Sequence, residues 1–218
     1  MANKNNHAYG LTTFSPIIND HCGNQSYSAV IRGRLEDLKL DEKSPLAKVP
    51  DTYLCRFYVL DDVIYEGNPA KVDHLKSSYL VFTSDFHGDL EPYLRGMWEH
   101  AGATIGQMWQ HCVGFKGTNT ADDFVDYIKK VQLKTTFFFN GSTDESLAEQ
   151  LKSLYLKQEF SKFAFEHQSD TPQQLQQAFA EFVKRKKPTV LAGPTWRAGA
   201  SSLDVAIVND DSTESARF

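Results

Sequence analysis

The sequence predicts an α+β protein: a ferredoxin-like, four-stranded antiparallel sheet with its helices on one face, followed by two C-terminal helices. Three observations predict it. The elements run β-α-β-β-α-(α)-β-α-α, and the first six core elements match a split βαβ arrangement. The helical segments repeat their apolar residues at spacings of three and four, while the strand segments are short, β-branched and aromatic. The chain of 218 residues is 41% hydrophobic and 23% charged, which is ordinary for a soluble globular protein and enough for a sizeable core.

The elements follow in order. Residues 1–8 are polar and read as a flexible end. "YGLTTFSPI" (9–17) is a strand ended by Pro16, and Asn24 offers an N-cap for a helix over 25–39. That helix carries Tyr27, Val30, Ile31, Leu35 and Leu38 as its apolar face. "TYLCRFYVLDD" (52–62) and "SYLVFTSDF" (78–86) are the next strands, joined by a long connection broken at Gly67-Asn68-Pro69. A long helix spans 89–112, and Thr120 caps a short one over 120–131. "KTTFFFNG" (134–141) is the fourth strand, stopped by Asn140-Gly141. Two helices follow, over 144–167 and 170–186, the second opened by Pro172. From Pro188 the helix breakers give no sustained period, so 187–218 reads as a mobile tail in which "LDVAIV" can still pair as a strand. The predicted organisation is one domain over 9–186.

Composition excludes several functions. The net charge of −5 provides no basic field for nucleic acid. No apolar run is long enough to span a bilayer, and "MANKNNHAYG" has no signal-peptide core, so a cytoplasmic protein is expected. Cys22, Cys55 and Cys112 are widely spaced and fit reduced thiols, with no C-x-x-C pair for zinc and no metal site expected. The Rossmann, Walker A, nucleophile-elbow and zinc-protease motifs are absent.

Candidate site residues fall in three places. Met97-Trp98-Glu99-His100 returns as Met108-Trp109-Gln110-His111. Eleven residues turn a helix to within ~20° of the same face, so the repeat has the spacing of helical periodicity. Trp98 and Trp109 then lie on one edge of an apolar stripe and His100 and His111 on the other, roughly 16 Å apart along the axis and unable to share one metal ion. These residues either fill a core or line a haem or small-molecule pocket. In "SDFHGD" (84–89), Asp85 and His87 share one face of a strand end, an arrangement suited to acid–base work or to a strand-to-helix turn. Arg56 stands inside an apolar strand and needs either an internal carboxylate such as Asp85 or an anionic ligand.

"TYLCRFYVLDD", "YLVFTSDFHGD", "MWQHCVGFKG" and "FFFNGSTDESLAEQLKSLYLKQEFSKF" resemble a family of bacterial domains found in or beside haem peroxidase-like proteins. The resemblance covers about residues 10–166. Arg56, Ser84, Gly88, Trp109, Cys112 and Gly114 fall on its motif positions, whereas Tyr53 stands where the family has a strand histidine and His87 where it has an aspartate. The resemblance implies a ferredoxin-like domain of the dimeric α+β-barrel type, hence a homodimer.

The expected function is the binding of a hydrophobic anion, haem or an oxidised lipid, between sheet and helix, with Arg56, Trp98, Trp109 and His111 as ligand-binding residues. The alternatives are a small metal-independent oxygenase or isomerase, with His87 or His100 as base and Asp85 orienting, and an interaction domain without a pocket.

Overall fold

The structure is a computed structural model that describes residues 3–63, 67–68, 74–201 and 207–208. The chain forms two compact units, Met1–Asp144 and Glu145–Phe218. The first is a mixed α+β unit built on a four-stranded antiparallel sheet. Its strands are β1 (Lys4–Asn5), β2 (Ala8–Pro16), β5 (Thr52–Leu60) and β6 (Tyr79–His87), in the order β1-β2-β6-β5. A two-residue ribbon, β3 (His21–Cys22) with β4 (Gln25–Ser26), leads into α1 (Tyr27–Glu36). Ser26 rather than Asn24 caps α1, its hydroxyl accepting from the Ala29 N–H. α2 (Leu90–Trp109) and α3 (Ala121–Val131) follow β6. Thr120 and Asp123 close a reciprocal capping box on α3, which fixes where that helix starts.

Side chains alternate along a strand, so β2, β5 and β6 each have an inner and an outer set. The inner set is Tyr9 and Leu11 of β2, Leu80, Phe82 and Phe86 of β6, and Cys55, Phe57 and Val59 of β5. It joins Ile31 of α1, Tyr93, Leu94, Met97, Ala101, Ile105, Met108 and Trp109 of α2, and Phe124, Val125, Tyr127 and Ile128 of α3 in one core. Aromatic rings dominate it. Phe86 lies flat against Tyr93, centroids 3.7 Å apart, and against Tyr9 at 5.1 Å. Trp109 meets Phe57, Phe82 and Phe124 edge-on at 5.2, 5.5 and 5.9 Å. Edge-to-face pairs suit the ring quadrupole, and the buried indole N–H donates to Ser15 Oγ at 3.0 Å.

The fourth strand expected over 134–141 is not formed: among the described residues this segment makes no strand. The residues just before this segment still run beside β2, with Gln132 bridged antiparallel to Thr13 and the Leu133 N–H donating to the Thr12 carbonyl. Beyond that, the edge of β2 is taken by the chain's own beginning. Lys4 and Asn5, expected to be frayed, pair with Tyr9 and Ala8. The buried Asn3 inserts its amide between the edge and the later segment, donating to the Gly10 carbonyl and to Thr135 Oγ1, both at 3.0 Å, and accepting from the Thr135 N–H. Of the three phenylalanines that follow, Phe137 and Phe139 are largely exposed, and Phe138 lies over Gly10.

The second unit pairs α4 (Leu147–Glu166) with α5 (Pro172–Lys186), each opened by a capping box, Ser146 with Glu149 and Thr171 with Gln174. Phe163 packs on Phe179 and Phe182 between them. Lys152 is buried, and its ammonium donates to the carbonyls of Lys186 and Pro194, tying the end of α5 to the segment before β7 (Thr195–Trp196). A cation there also suits the carbonyl end of a helix. Of the tail expected to be mobile, Thr195–Trp196 pairs with β8 (Ile207–Val208); residues 202–206 and 209–218 lie outside the described residues. Among the described residues no helix is long and apolar enough to cross a membrane.

Two stability outcomes follow from the packing. Trp109→Ala is expected to lower the unfolding free energy by about 3–5 kcal/mol in urea titrations, the range for large aromatic-to-Ala changes in a filled core. Gly10→Ala is expected to cost about 1–3 kcal/mol in the same assay, because a Cβ there would stand 2.8 Å from the Phe138 ring.

Candidate functional site

The outer set of the sheet faces away from that core and is ordered in rows by the strand register. Gly10, Asp85 and Leu54 align, then Thr12, Thr83 and Arg56, then Phe14, Val81 and Tyr58, then Pro16, Tyr79 and Leu60. The last two rows are apolar and aromatic, with Phe14 and Tyr79 5.9 Å apart. Leu54 and Tyr58 remain 57% and 42% exposed, while Val81, between Tyr58 and Phe14, is buried. One end of the face is therefore greasy and the other polar.

Arg56 stands at the boundary. Its Nε–H donates to Thr83 Oγ1 at 3.0 Å, and among the described residues no carboxylate lies within ion-pair distance. Asp85 is near enough to feel the guanidinium but not to pair with it. Partial burial pushes its carboxyl above the ordinary value, and the charge of Arg56 only partly opposes this. Phe138 lies nearby: on Gly10 a Cβ would meet both the Phe138 ring and Asp85 Oδ1. The arginine thus keeps donors to spare, since a guanidinium carries five N–H groups.

His87 lies at the polar end. A register shift between Thr52 and Leu54 marks a bulge at Tyr53, and the Tyr53 hydroxyl meets His87 Nδ1 at 2.8 Å. His7 stacks on His87 at 5.3 Å and is held in turn by Asp144, its backbone N–H and ring Nδ1 both reaching that carboxylate. Asp85 and His87 share this face, as their spacing predicts, but it is Tyr53 that orients the His87 ring.

The remaining candidates are placed elsewhere. His100 is exposed on α2, its Nδ1 at 2.9 Å from the Gly96 carbonyl of its own helix. Trp109 is core, and Trp98 packs against Phe124 at 5.4 Å. His111 stacks on Tyr27 at 4.0 Å; burial, helped by Arg34, lowers its pKa. Arg56 and Trp109 occupy opposite sides of the sheet, since Phe57, the strand neighbour of Arg56, is the residue that touches Trp109. Cys112 beside His111 is buried, and burial pushes its thiol up to about 12, which leaves no thiolate nucleophile. Among the described residues no group of three or more His, Cys, Asp or Glu is placed to hold a metal ion.

Reasoning from the sequence missed Tyr53, Thr83, His7 and Asp144. Counting alternation outward from Arg56 finds Thr83 once the β5–β6 register is known, but His7 and Asp144 carry no local signal. Comparison of the chain with protein-family models, curated proteins and solved structures finds no match.

The raised pKa of Asp85 makes a pH prediction. The folded chain holds this proton more tightly than the unfolded chain, so ionisation costs stability as pH rises above the unfolded value of about 3.9. Asp85→Asn is therefore expected to stabilise the protein at pH 7, with the gain shrinking as pH falls from the raised folded value towards about 4, below which both states are protonated. Urea midpoints of the two proteins across pH 3.5–7 check it.

Proposed function

We propose that this chain is a binding module for a hydrophobic carboxylate, taken on the outer face of its sheet with the carboxylate on Arg56. The observation that carries this reading is a guanidinium held by one threonine hydroxyl, with no paired carboxylate among the described residues, flanked along its strand by the exposed Leu54 and Tyr58. Arg prefers planar two-oxygen acceptors, which is what a carboxylate provides. An acyl chain would lie along Tyr58, Val81, Phe14 and Tyr79. Between the two ligand types the sequence suggested, the geometry favours the lipid. A single haem held by Arg56 cannot also reach Trp109 across the sheet, since Phe57, the strand neighbour of Arg56, is the residue that touches Trp109.

The finer arrangement we read as ferredoxin-like. Its support is that β6 lies between β2 and β5, and that residues 132–133 run antiparallel along the edge of β2 where a fourth core strand belongs. A dimer of the α+β-barrel type would set the outer face of a second copy opposite the first, so that the acyl chain would lie between the two sheets.

The test is calorimetric titration of delipidated protein with dodecanoate and with dodecanol. Dodecanoate is expected to bind and dodecanol to bind at least about tenfold more weakly, the cost of losing one charge-assisted contact. Arg56→Gln is expected to abolish that difference while leaving the melting curve unchanged. Equal binding of both ligands to the unmodified protein, or no binding of either, overturns the reading.

A further inference from the structure

Asp85 is a half-buried carboxyl with an arginine in reach that does not hold it. It stands on the outer face between Gly10 of β2 and Leu54 of β5. Arg56 aligns with Thr83, two residues earlier on β6, so Arg56 and Asp85 are diagonal neighbours, about 7–8 Å apart and within reach of a long side chain. The guanidinium turns to the Thr83 hydroxyl instead. Among the described residues the Asp85 carboxyl takes part in no hydrogen bond and no ion pair. Partial burial works against its ionisation, and the field of Arg56 works for it. The other groups around it do not tip this balance. Gly10, Leu54 and Phe138 do not ionise, and Tyr93 lies in the core below. The next ionisable side chain along β6 is His87, with His7 and Asp144 behind it.

A carboxylate bound on Arg56 neutralises the cation that favours an ionised Asp85, and it sets a second negative charge beside the first. Two carboxylates sharing a site do not both ionise readily. We propose that Asp85 is the resident counter-ion of this site and makes anion binding proton-coupled: as a ligand carboxylate settles on Arg56, Asp85 takes one proton from the solvent. The site then holds one cation and one anion in both states, Arg56 with Asp85 when empty and Arg56 with the ligand when full. The protonated carboxyl gains an O–H that can be donated to a ligand oxygen. The inference rests on the reading of Arg56 as the carboxylate anchor. Coupling is reciprocal, so the ligand binds more tightly as pH falls and Asp85 ionises less readily with the ligand in place.

The test is calorimetric titration with dodecanoate between pH 6 and 8, where the ligand stays above the ordinary carboxylic range of about 4 and remains ionised. The unmodified protein is expected to bind at least about threefold more tightly at pH 6 than at pH 8. Asp85→Asn is expected to bind at pH 8 at least as tightly as the unmodified protein does at pH 6, with no pH dependence. His87→Gln is run beside it, because histidine side chains change charge in this range; it is expected to keep the dependence. Carbon-detected resonance of the Asp85 carboxyl in the unmodified protein keeps the test valid if a variant misfolds: its titration midpoint is expected to move up when dodecanoate is added. Binding that is equally tight at pH 6 and 8 leaves Arg56 as the anchor and overturns the proton coupling. So does a dependence that survives Asp85→Asn or vanishes in His87→Gln, or an Asp85 midpoint that dodecanoate does not move. Failure of dodecanoate to bind at either pH overturns the anchor itself, and the coupling with it.

Discussion

Everything in the first unit depends on how Trp109 is seated. Its indole is the last residue of α2, and it enters the sheet at Phe57 and Phe82 while Phe124 of α3 closes on it from the helical side. One ring therefore joins two strands and two helices. The indole is fully buried, so its N–H must find an acceptor, and Ser15 of β2 supplies it. That bond adds a third strand and fixes the level at which α2 ends. A twenty-residue helix anchored this way has its rotation determined, and Tyr93, Leu94, Met97, Ala101, Ile105 and Met108 all turn inward as a result.

The same seating decides where function can be. Aromatic rings in contact fill the inner side of the sheet, and such packing leaves little room for a ligand of any size. Alternation along the strands then sets Arg56 of β5 and Thr83, Asp85 and His87 of β6 outward. Arg56 cannot reach the core because Phe57 does, and Asp85 and His87 cannot because Phe86 does. The outer face thus collects an arginine with spare donors, a carboxyl made reluctant to ionise, and the exposed Leu54 and Tyr58. The binding reading rests on this sorting by parity rather than on any motif.

Much of this was legible in the residues. The stripe of α2, the strand cores around Phe57 and Phe82, and the Thr120 cap are local signals, because capping and alternation act over a few residues. The shared face of Asp85 and His87 was readable for the same reason. What failed was non-local. "KTTFFFNG" has the composition of a strand, yet Asn3 and residues 4–5 reach that edge of β2 first, and no pattern near residue 134 announces a competitor at residue 3. Trp98, Trp109, His100 and His111 looked like a site because rare residue types recur. Their period is that of the helix, and it distributes them between core, helix surface and a stack on Tyr27. The contact of His7 with Asp144 spans most of the first unit and leaves no trace in spacing.

The account stands on one claim, that the working surface is the outer face of the sheet and not the space beneath it. Nuclear magnetic resonance of isotope-labelled protein titrated with dodecanoate tests it most directly. The account predicts shift changes at Leu54, Tyr58, Val81 and the Arg56 Nε–H, with the methyl groups of Met97, Ile105 and Met108 unmoved. Changes concentrated at Met97, Ile105 and Met108, with the outer face silent, would place the ligand between sheet and helices and contradict it.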